Sequence, residues 1–296
     1  MNVTTRFAPS PTGYLHLGHA FSALTAFDAA RAAGGRFLLR LEDIDQTRCR
    51  PIYEAAICED LDWLGVDWGQ HSAQPVRRQS DHFADYAAAL EKLRALGVLY
   101  RCFRTRREIA ESSASAPQDE AALPLDHGAG PGHRLSADDE AARLAAGQSF
   151  AWRLSMSCSQ DLLGEEFARL SFVEEGFGPE REHGAVCARP ELAGDVILAR
   201  KDVPASYHLS VVHDDAVQGV THVIRGEDLF ASTHIHVLIQ KLLRLPTPVY
   251  RHHRLLKGED GRRYAKRDHS LTLASLRAAG VSPADIRRRI GLGSGA

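Results

Sequence analysis

No C-x-x-C pair occurs anywhere in this 296-residue chain, and no uninterrupted apolar run approaches the roughly 18 residues that a membrane-spanning helix needs. The five cysteines, Cys49, Cys58, Cys102, Cys158 and Cys187, are odd in number and scattered, which points to reduced thiols in a cytosolic compartment rather than a disulfide framework. The start, Met1 to Arg6, carries no basic-then-apolar leader, so neither export nor membrane insertion is expected, and the cytoplasm is the expected location. Charge of one sign is lacking too: Lys+Arg 36 against Asp+Glu 38 leave a net charge of -2. Any nucleic-acid contact must therefore come from local basic patches, of which Arg104 to Arg107 and Arg287 to Arg289 are candidates. There is no internal repeat. With 44% hydrophobic and 25% charged residues, the composition is that of an ordinary folded protein with a sizeable core.

Apolar spacing organises the chain. Phe21, Leu24 and Phe27 share a helical face in residues 19 to 33, stopped by Gly34-Gly35, and Arg36 to Leu41 then reads as a buried strand. Pro51 opens a helix with Tyr53, Ile57, Leu61 and Leu64 inward, ended by Gly65. Ser80 precedes another, with Phe83, Ala87, Leu90 and Leu93 inward and Gly97 as its stop. Later, Val196 to Ala199, Leu209 to Val212 and His222 to Ile224 read as strands, and Ser232 or Thr233 caps a helix carrying Ile235, Leu238, Ile239 and Leu242 that Pro246 and Pro248 terminate. Strands alternating with helices predict a parallel sheet covered on both faces. Residues 111 to 149, rich in Ala, Ser, Gly and Pro, read as a partly mobile surface insertion with a short helix after Ser136, where Ser136 and Asp139 fit a capping box.

Chemistry concentrates first in Arg6-Phe7-Ala8-Pro9-Ser10-Pro11-Thr12-Gly13-Tyr14-Leu15-His16-Leu17-Gly18-His19. This is a strand end, a proline-stiffened loop, a glycine turn, and a helix whose first turn holds two imidazoles three positions apart, hence side by side. Backbone N–H groups at such a terminus make an anion site, and Gly18 permits close approach of a nucleotide ring. A second element, Arg40-Leu41-Glu42-Asp43-Ile44-Asp45-Gln46-Thr47-Arg48, places carboxylates at a strand end, where Glu42 can hold an ammonium group. A third comprises Tyr207-His208-Leu209 running to Val212-His213-Asp214-Asp215, and Arg225-Gly226-Glu227-Asp228-Leu229. Taken alone, Tyr207 is a packed aromatic and Arg225 a surface ion pair; a fixed guanidinium is equally the natural bidentate partner of a substrate carboxylate. Last comes a glycine-flanked basic loop, Asp260-Gly261-Arg262-Arg263-Tyr264-Ala265-Lys266-Arg267.

In this order, these strings resemble the class I aminoacyl-tRNA synthetases of the glutamate type: R-F-A-P-S-P-T-G and the HIGH motif, R-x-E-D-x-D-x-x-R, Y-x-L-x-x-V-x-D-D, R-G-x-D-L, and the KMSKS loop. In the last, Arg263 replaces the first lysine and Ala265 the serine, while Lys266 keeps the second lysine. The resemblance implies a Rossmann-type doubly wound α/β fold with a connective insertion and a short helical C-terminal segment. Residues 1–100 and 191–256 would form its two halves, 101–190 the insertion, and 257–296 the KMSKS-like loop and helical segment. Only 29 residues follow Arg267, too few for the family's anticodon-binding domain. The likeness is therefore to its shorter paralogues, which activate L-glutamate with ATP and Mg2+ and transfer it to the queuosine base of the tRNA(Asp) anticodon loop.

On that resemblance His16, His19 and Lys266 are catalytic; His16, Gly18, His19 and Lys266 bind ATP; and Arg6, Phe7, Ala8, Pro9, Ser10, Glu42, Tyr207 and Arg225 bind glutamate. The partners are glutamate, ATP and queuosine-bearing tRNA(Asp), with no membrane and a monomeric protein expected. Zinc is not expected: Arg104 stands where a C-x-C pair would end, which leaves only Cys102 and His133, whereas a structural zinc takes four ligands. Two other readings stay open, a chain that charges a tRNA 3' end and a non-catalytic nucleotide- or tRNA-binding protein.

Overall fold

The computed structural model describes residues 2–69, 75–104, 134–256 and 272–293. Strand β1 (Thr4–Phe7) leads through the proline loop into α1 (Leu17–Ala32), and the chain returns in β2 (Arg36–Leu41), parallel to β1 with Thr5 opposite Phe37. The turn needs both glycines: Gly34 has φ +59°, and a Cβ on Gly35 would stand 2.0 Å from the Val3 carbonyl oxygen. Helix α2 (Pro51–Trp63) starts on its proline, β3 (Arg77–Arg78) pairs parallel to the end of β2, and α3 (Phe83–Ala95) follows. One detail differs from the periodicity reading. Ala87 is exposed, and Tyr86 and Ala89 face the core beside the expected Leu93, with Phe83 and Leu90 partly buried against it. Ser80 precedes the helix from a 3-10 turn, where its N–H and hydroxyl both donate to the Asp43 carboxylate.

The middle of the chain forms β4 (Leu99–Cys102), α4 (Ala137–Ala145), β5 (Ala151–Leu154), α5 (Met156–Leu163), α6 (Glu165–Ala168), β6 (Ser171–Glu174), β7 (Gly184–Cys187) and β8 (Val196–Ala199). Ser136 does cap α4, its Oγ accepting from the Asp139 N–H, while the Asp139 carboxylate accepts from the serine hydroxyl. Strands β4, β5 and β8 make a separate antiparallel sheet.

The last described part is α7 (Tyr207–Val217), β9 (His222–Gly226), α8 (Phe230–Leu243), β10 (Val249–His253), α9 (Leu273–Ala278) and α10 (Pro283–Arg289). The expected strand Leu209–Val212 is thus helical. A four-residue apolar run fits either period, and here the Ser206 hydroxyl, accepting from the Leu209 N–H, starts a helix that buries Leu209 and Val212 one turn apart. Helix α8 likewise begins at Phe230, before Ser232 and Thr233, which sit inside its first turns. It ends at Leu243 with Arg244 left-handed, ahead of Pro246.

Strand β10 lies parallel between β9 and β6, and β7 pairs antiparallel to β6. The set β3-β2-β1 meets β9-β10-β6-β7 along β1 and β9, where the Thr221 N–H donates to the Thr4 carbonyl at 3.0 Å. This is the Rossmann-type α/β arrangement, and the β1/β9 junction is its switch point, beyond whose carboxyl ends sheets of this kind bind their ligands. The C-terminal helices belong to the same core: Leu273 and Ile286 are buried with Leu24, Leu39 and Leu61.

Charge is buried beside that junction. Asp215 of α7 accepts from Arg6 Nε at 3.1 Å and from an Arg40 terminal nitrogen at 2.7 Å. Its neighbour Asp214 accepts from Arg77 Nε at 2.8 Å, Gln79 at 3.0 Å and the Tyr86 hydroxyl at 2.8 Å. Arg40 also donates to Glu42 at 3.1 Å. Burial pushes the Asp214 pKa up, yet the nearby His213 ring, the Arg40 and Arg77 charges and the Gln79 hydrogen bond outweigh it and hold the group down to about 2. Since the folded value lies below the unfolded one, its stabilisation is complete above the unfolded carboxylate range and disappears as pH falls through about 2. Asp214→Asn is expected to lower unfolding free energy at pH 7 by about 3–5 kcal/mol in urea titrations, because it strands buried guanidinium groups.

Asp60 of α2 shows the opposite sign. Both its oxygens are buried without a hydrogen bond, the nearest cation being Arg277 of α9 at 3.4 Å. Burial pushes it up to about 6 against the pull of Arg277, so the ionised form costs stability above that pH. Asp60→Asn should raise the melting temperature at pH 8 by about 2–4 °C, a gain that vanishes toward pH 4.

Candidate active site

The N-terminus of α1 is built from its two histidines. His16 is the N-cap, and its Nδ1 accepts from the Gly18 N–H at 3.1 Å; the His19 Nδ1 accepts in return from the His16 N–H at 3.2 Å. This is a capping box made of imidazoles. With each Nδ1 accepting, each neutral ring carries its proton on Nε2, and the rings lie 3.8 Å apart between centroids. A Cβ on Gly18 would come 3.0 Å from His16 Cε1, so the glycine makes room for the ring that caps the helix. Thr272 forms a β-bridge with His16, and the Leu273 N–H donates to the Leu15 carbonyl at 2.8 Å. The residues that follow 257–271 therefore return directly to the histidines. Lys266 lies outside the described residues.

The loop after β1 is tied to the second motif. The Pro9 carbonyl accepts from the Glu42 N–H at 3.0 Å and that of Pro11 from the Arg50 N–H at 3.0 Å. Phe7 and Pro9 are buried, Ala8 is half-buried and Ser10 is exposed. Arg6 is buried and engaged with Asp215 and the Ile224 carbonyl. Glu42 is half-buried, and burial raises its pKa against the pull of Arg40 and Arg6. Tyr207, the first residue of α7, belongs to the same neighbourhood: burial raises its phenol, and Arg225, Glu42, Arg6 and Asp215 all act on it.

Arg225, near the end of β9, is 4% exposed. It donates to the Tyr207 hydroxyl at 3.2 Å, to Thr233 Oγ1 at 2.7 Å and to the Leu229 carbonyl at 3.1 Å. Three imidazoles complete its surroundings, two of them in contact: His252 at 3.2 Å and His236 at 3.4 Å, with His208 3.1 Å beyond His236. Burial, then the arginine charge, lowers His208 to about 4 and His236 well below its usual value. Burial also dominates His252, which sits at about 4 although Glu174 pulls it upward. The cluster is thus a cation among neutral rings, and among the described residues Arg225 has no ion pair.

The structure therefore brings Arg6, Phe7, Pro9, Glu42, Tyr207 and Arg225 to the carboxyl ends of β1, β2 and β9 and sets His16, Gly18 and His19 at the helix that follows β1. Sequence reasoning missed Glu174, His236 and His252, which no motif contained. His208 stood beside Tyr207, where its position in a quoted string was the available signal. Among the described residues no group of three or more His, Cys, Asp or Glu could hold a metal ion; Cys102 is buried in β4, and His133 lies outside the described residues.

Residues 2–293 match the family model for the catalytic domain of class I tRNA synthetases (E and Q). The chain is 51% identical, over 97% of its length and 99% of the relative's, to a glutamyl-Q tRNA(Asp) synthetase of Rhodobacter capsulatus. It is 34% identical to a glutamate–tRNA ligase of Aquifex aeolicus, over 95% of this chain but 55% of that one. Among solved structures, the glutamate–tRNA synthetase of Elizabethkingia anophelis superposes with a TM-score of 0.72 at 27% identity, covering 91% of this chain and 54% of its own. The chain spans about half of those longer proteins and nearly all of the first. On these matches, and with the histidine, arginine and carboxylate elements in place, the chain belongs to the class I tRNA synthetase family for E and Q, on the branch of the glutamyl-Q tRNA(Asp) synthetases.

Proposed function

We propose that this chain activates L-glutamate with ATP, without needing tRNA, and then passes the glutamyl group to the queuosine base in the anticodon loop of tRNA(Asp). The observation that carries the reading is Arg225, a buried guanidinium with no ion pair among the described residues, bordered by neutral imidazoles and a phenol. A buried cation left in this state is a receptor for the charge of an anion such as a carboxylate. Arg6 and Arg40, by contrast, already have carboxylate partners, Asp215 for both and Glu42 and Asp214 for Arg40 as well.

In the first step an oxygen of the glutamate α-carboxylate bonds to the α-phosphorus of ATP, and the bond to the β-phosphate oxygen breaks with departure of pyrophosphate. No covalent enzyme intermediate is required. The α-carboxylate must remain free to attack, so Arg225 and Tyr207 take the side-chain carboxylate, a choice that also rejects uncharged glutamine. Glu42 receives the ammonium group, and Arg6 to Ser10 form the floor. His16 and His19 present Nε2–H donors beside the helix N-terminus to the triphosphate, which enters with its Mg2+, and Lys266 balances the leaving pyrophosphate. In the second step a hydroxyl of the queuosine cis-diol attacks the acyl carbon and AMP leaves. Catalysis of this type rests on positioning and charge stabilisation.

Glutamate-dependent ATP–pyrophosphate exchange without added tRNA is the expected result, and its absence with and without tRNA would sink the activation step. His19→Ala should slow that exchange at least about tenfold, through loss of a donor aimed at developing charge. For the acceptor, labelled glutamate should enter tRNA(Asp) that carries queuosine and not the same tRNA carrying guanosine at that position. Equal labelling of both would assign the chain to 3'-end charging.

A further inference from the structure

Arginine has donors only, so the proton positions around Arg225 are fixed by elimination. Its Nε–H points at His252 Nε2, 3.2 Å away, which must accept; the ring proton of a neutral His252 is then on Nδ1. That nitrogen is 2.5 Å from Glu174 Oε2. The other oxygen, Oε1, accepts the backbone N–H groups of His252 and Gly176, each at 2.8 Å. Glu174 and His252 are almost completely buried, at 0% and 3% exposure. The approach is close: a Cβ on Gly176 would stand 2.1 Å from the His252 carbonyl oxygen. Three strands meet here, Glu174 at the end of β6, His252 on β10 and Arg225 on β9.

We propose that Glu174 and His252 are positioning residues that aim Arg225 at the substrate carboxylate, an inference that rests on the reading of Arg225 as its receptor. Glu174 fixes the tautomer of His252; the tautomer presents a lone pair to Arg225 Nε; and that hydrogen bond, with Thr233 and the Leu229 carbonyl on the far nitrogen, sets the plane of the guanidinium. A carboxylate in place of His252 would orient the arginine equally well and cancel the charge that the substrate needs. The imidazole orients without neutralising. It keeps the Glu174 charge one ring away, and its low proton affinity in this buried place keeps the ring itself neutral at working pH.

Glu174→Gln tests this at a single atom. Its oxygen would stay on the two backbone N–H groups, which turns the amide NH2 toward His252 Nδ1. The ring must then move its proton to Nε2, where it meets the Arg225 Nε–H donor to donor. Ring nitrogen and carbon chemical shifts should report an Nδ1–H tautomer for His252 in the wild type and Nε2–H in E174Q. The glutamate KM should rise about tenfold, the cost of a buried donor left facing a donor. The turnover number should change less than about threefold and the ATP KM not at all, as for lost ground-state binding. Glu174→Asp, which keeps an acceptor, should restore the Nδ1–H tautomer and most of the glutamate affinity.

An Nε2–H tautomer in the wild type, a folded E174Q with the wild-type glutamate KM, or E174D and E174Q impaired alike would each overturn the positioning role. If E174Q does not fold, the wild-type tautomer and E174D decide. A wild type that lacks glutamate-dependent exchange would overturn the receptor reading itself, and the positioning role with it; a wild type that exchanges normally while E174Q shows no KM change overturns the positioning role alone.

Discussion

Two adjacent carboxylates on one helix hold the two sides of the sheet together. Asp215 reaches Arg6 on β1 and Arg40 on β2, and Asp214 reaches Arg77 on β3 and, through Gln79 and Tyr86, the segment that leads into and along α3. Because β1 is also the strand that meets β9, the position of this helix sets the geometry of the switch point. Burying such a network is expensive, and hydrophobic packing of similar volume could match its stability. What packing cannot supply is direction. Each guanidinium accepts only certain approach angles, so the strands have one register in which Glu42 and Tyr207 share a neighbourhood.

The same region contains two classes of arginine. Arg6 and Arg40 are ion-paired, both with Asp215 and Arg40 also with Glu42 and Asp214, and they act as struts. Arg225 is surrounded by hydroxyl, carbonyl and imidazole acceptors, which satisfy its hydrogen bonds and leave its charge intact. Hydrogen bonding and neutralisation are separate requirements of a buried cation, and the chain meets the first from within while the substrate meets the second. That division assigns the histidines a part that their motif-free positions do not advertise.

Legibility in the sequence followed the range of each interaction. The His16 to His19 turn could be read directly, since the bonds between its imidazoles and its backbone span only two or three residues, as could the Gly34-Gly35 stop and the Pro51 start. The helix at Tyr207 was misread as a strand because Leu209 to Val212 fits both periods, and the deciding contact is a serine cap. Asp214 and Asp215 stood in a quoted string, but their role as counter-ions could not be seen, with partners 128 to 209 positions away. Glu174 and His252, 78 positions apart, meet only because β6 pairs with β10, and nothing local marks either residue.

Long-range closure also has a consequence for how the chain is made. Strand β1 is joined along its β9 side by Thr221, 217 residues later, and Asp28 of α1 is clasped at both oxygens by Arg287, 259 residues later. During vectorial synthesis the helix that presents His16 and His19 can form its turn early, but its strand keeps an open edge until the second half has left the ribosome. Such topologies fold slowly, and an unpaired edge strand is a template for wrong partners. The interval between emergence of β1 and emergence of β9 is therefore when this edge stands open, and slow translation ahead of residue 221 would lengthen it.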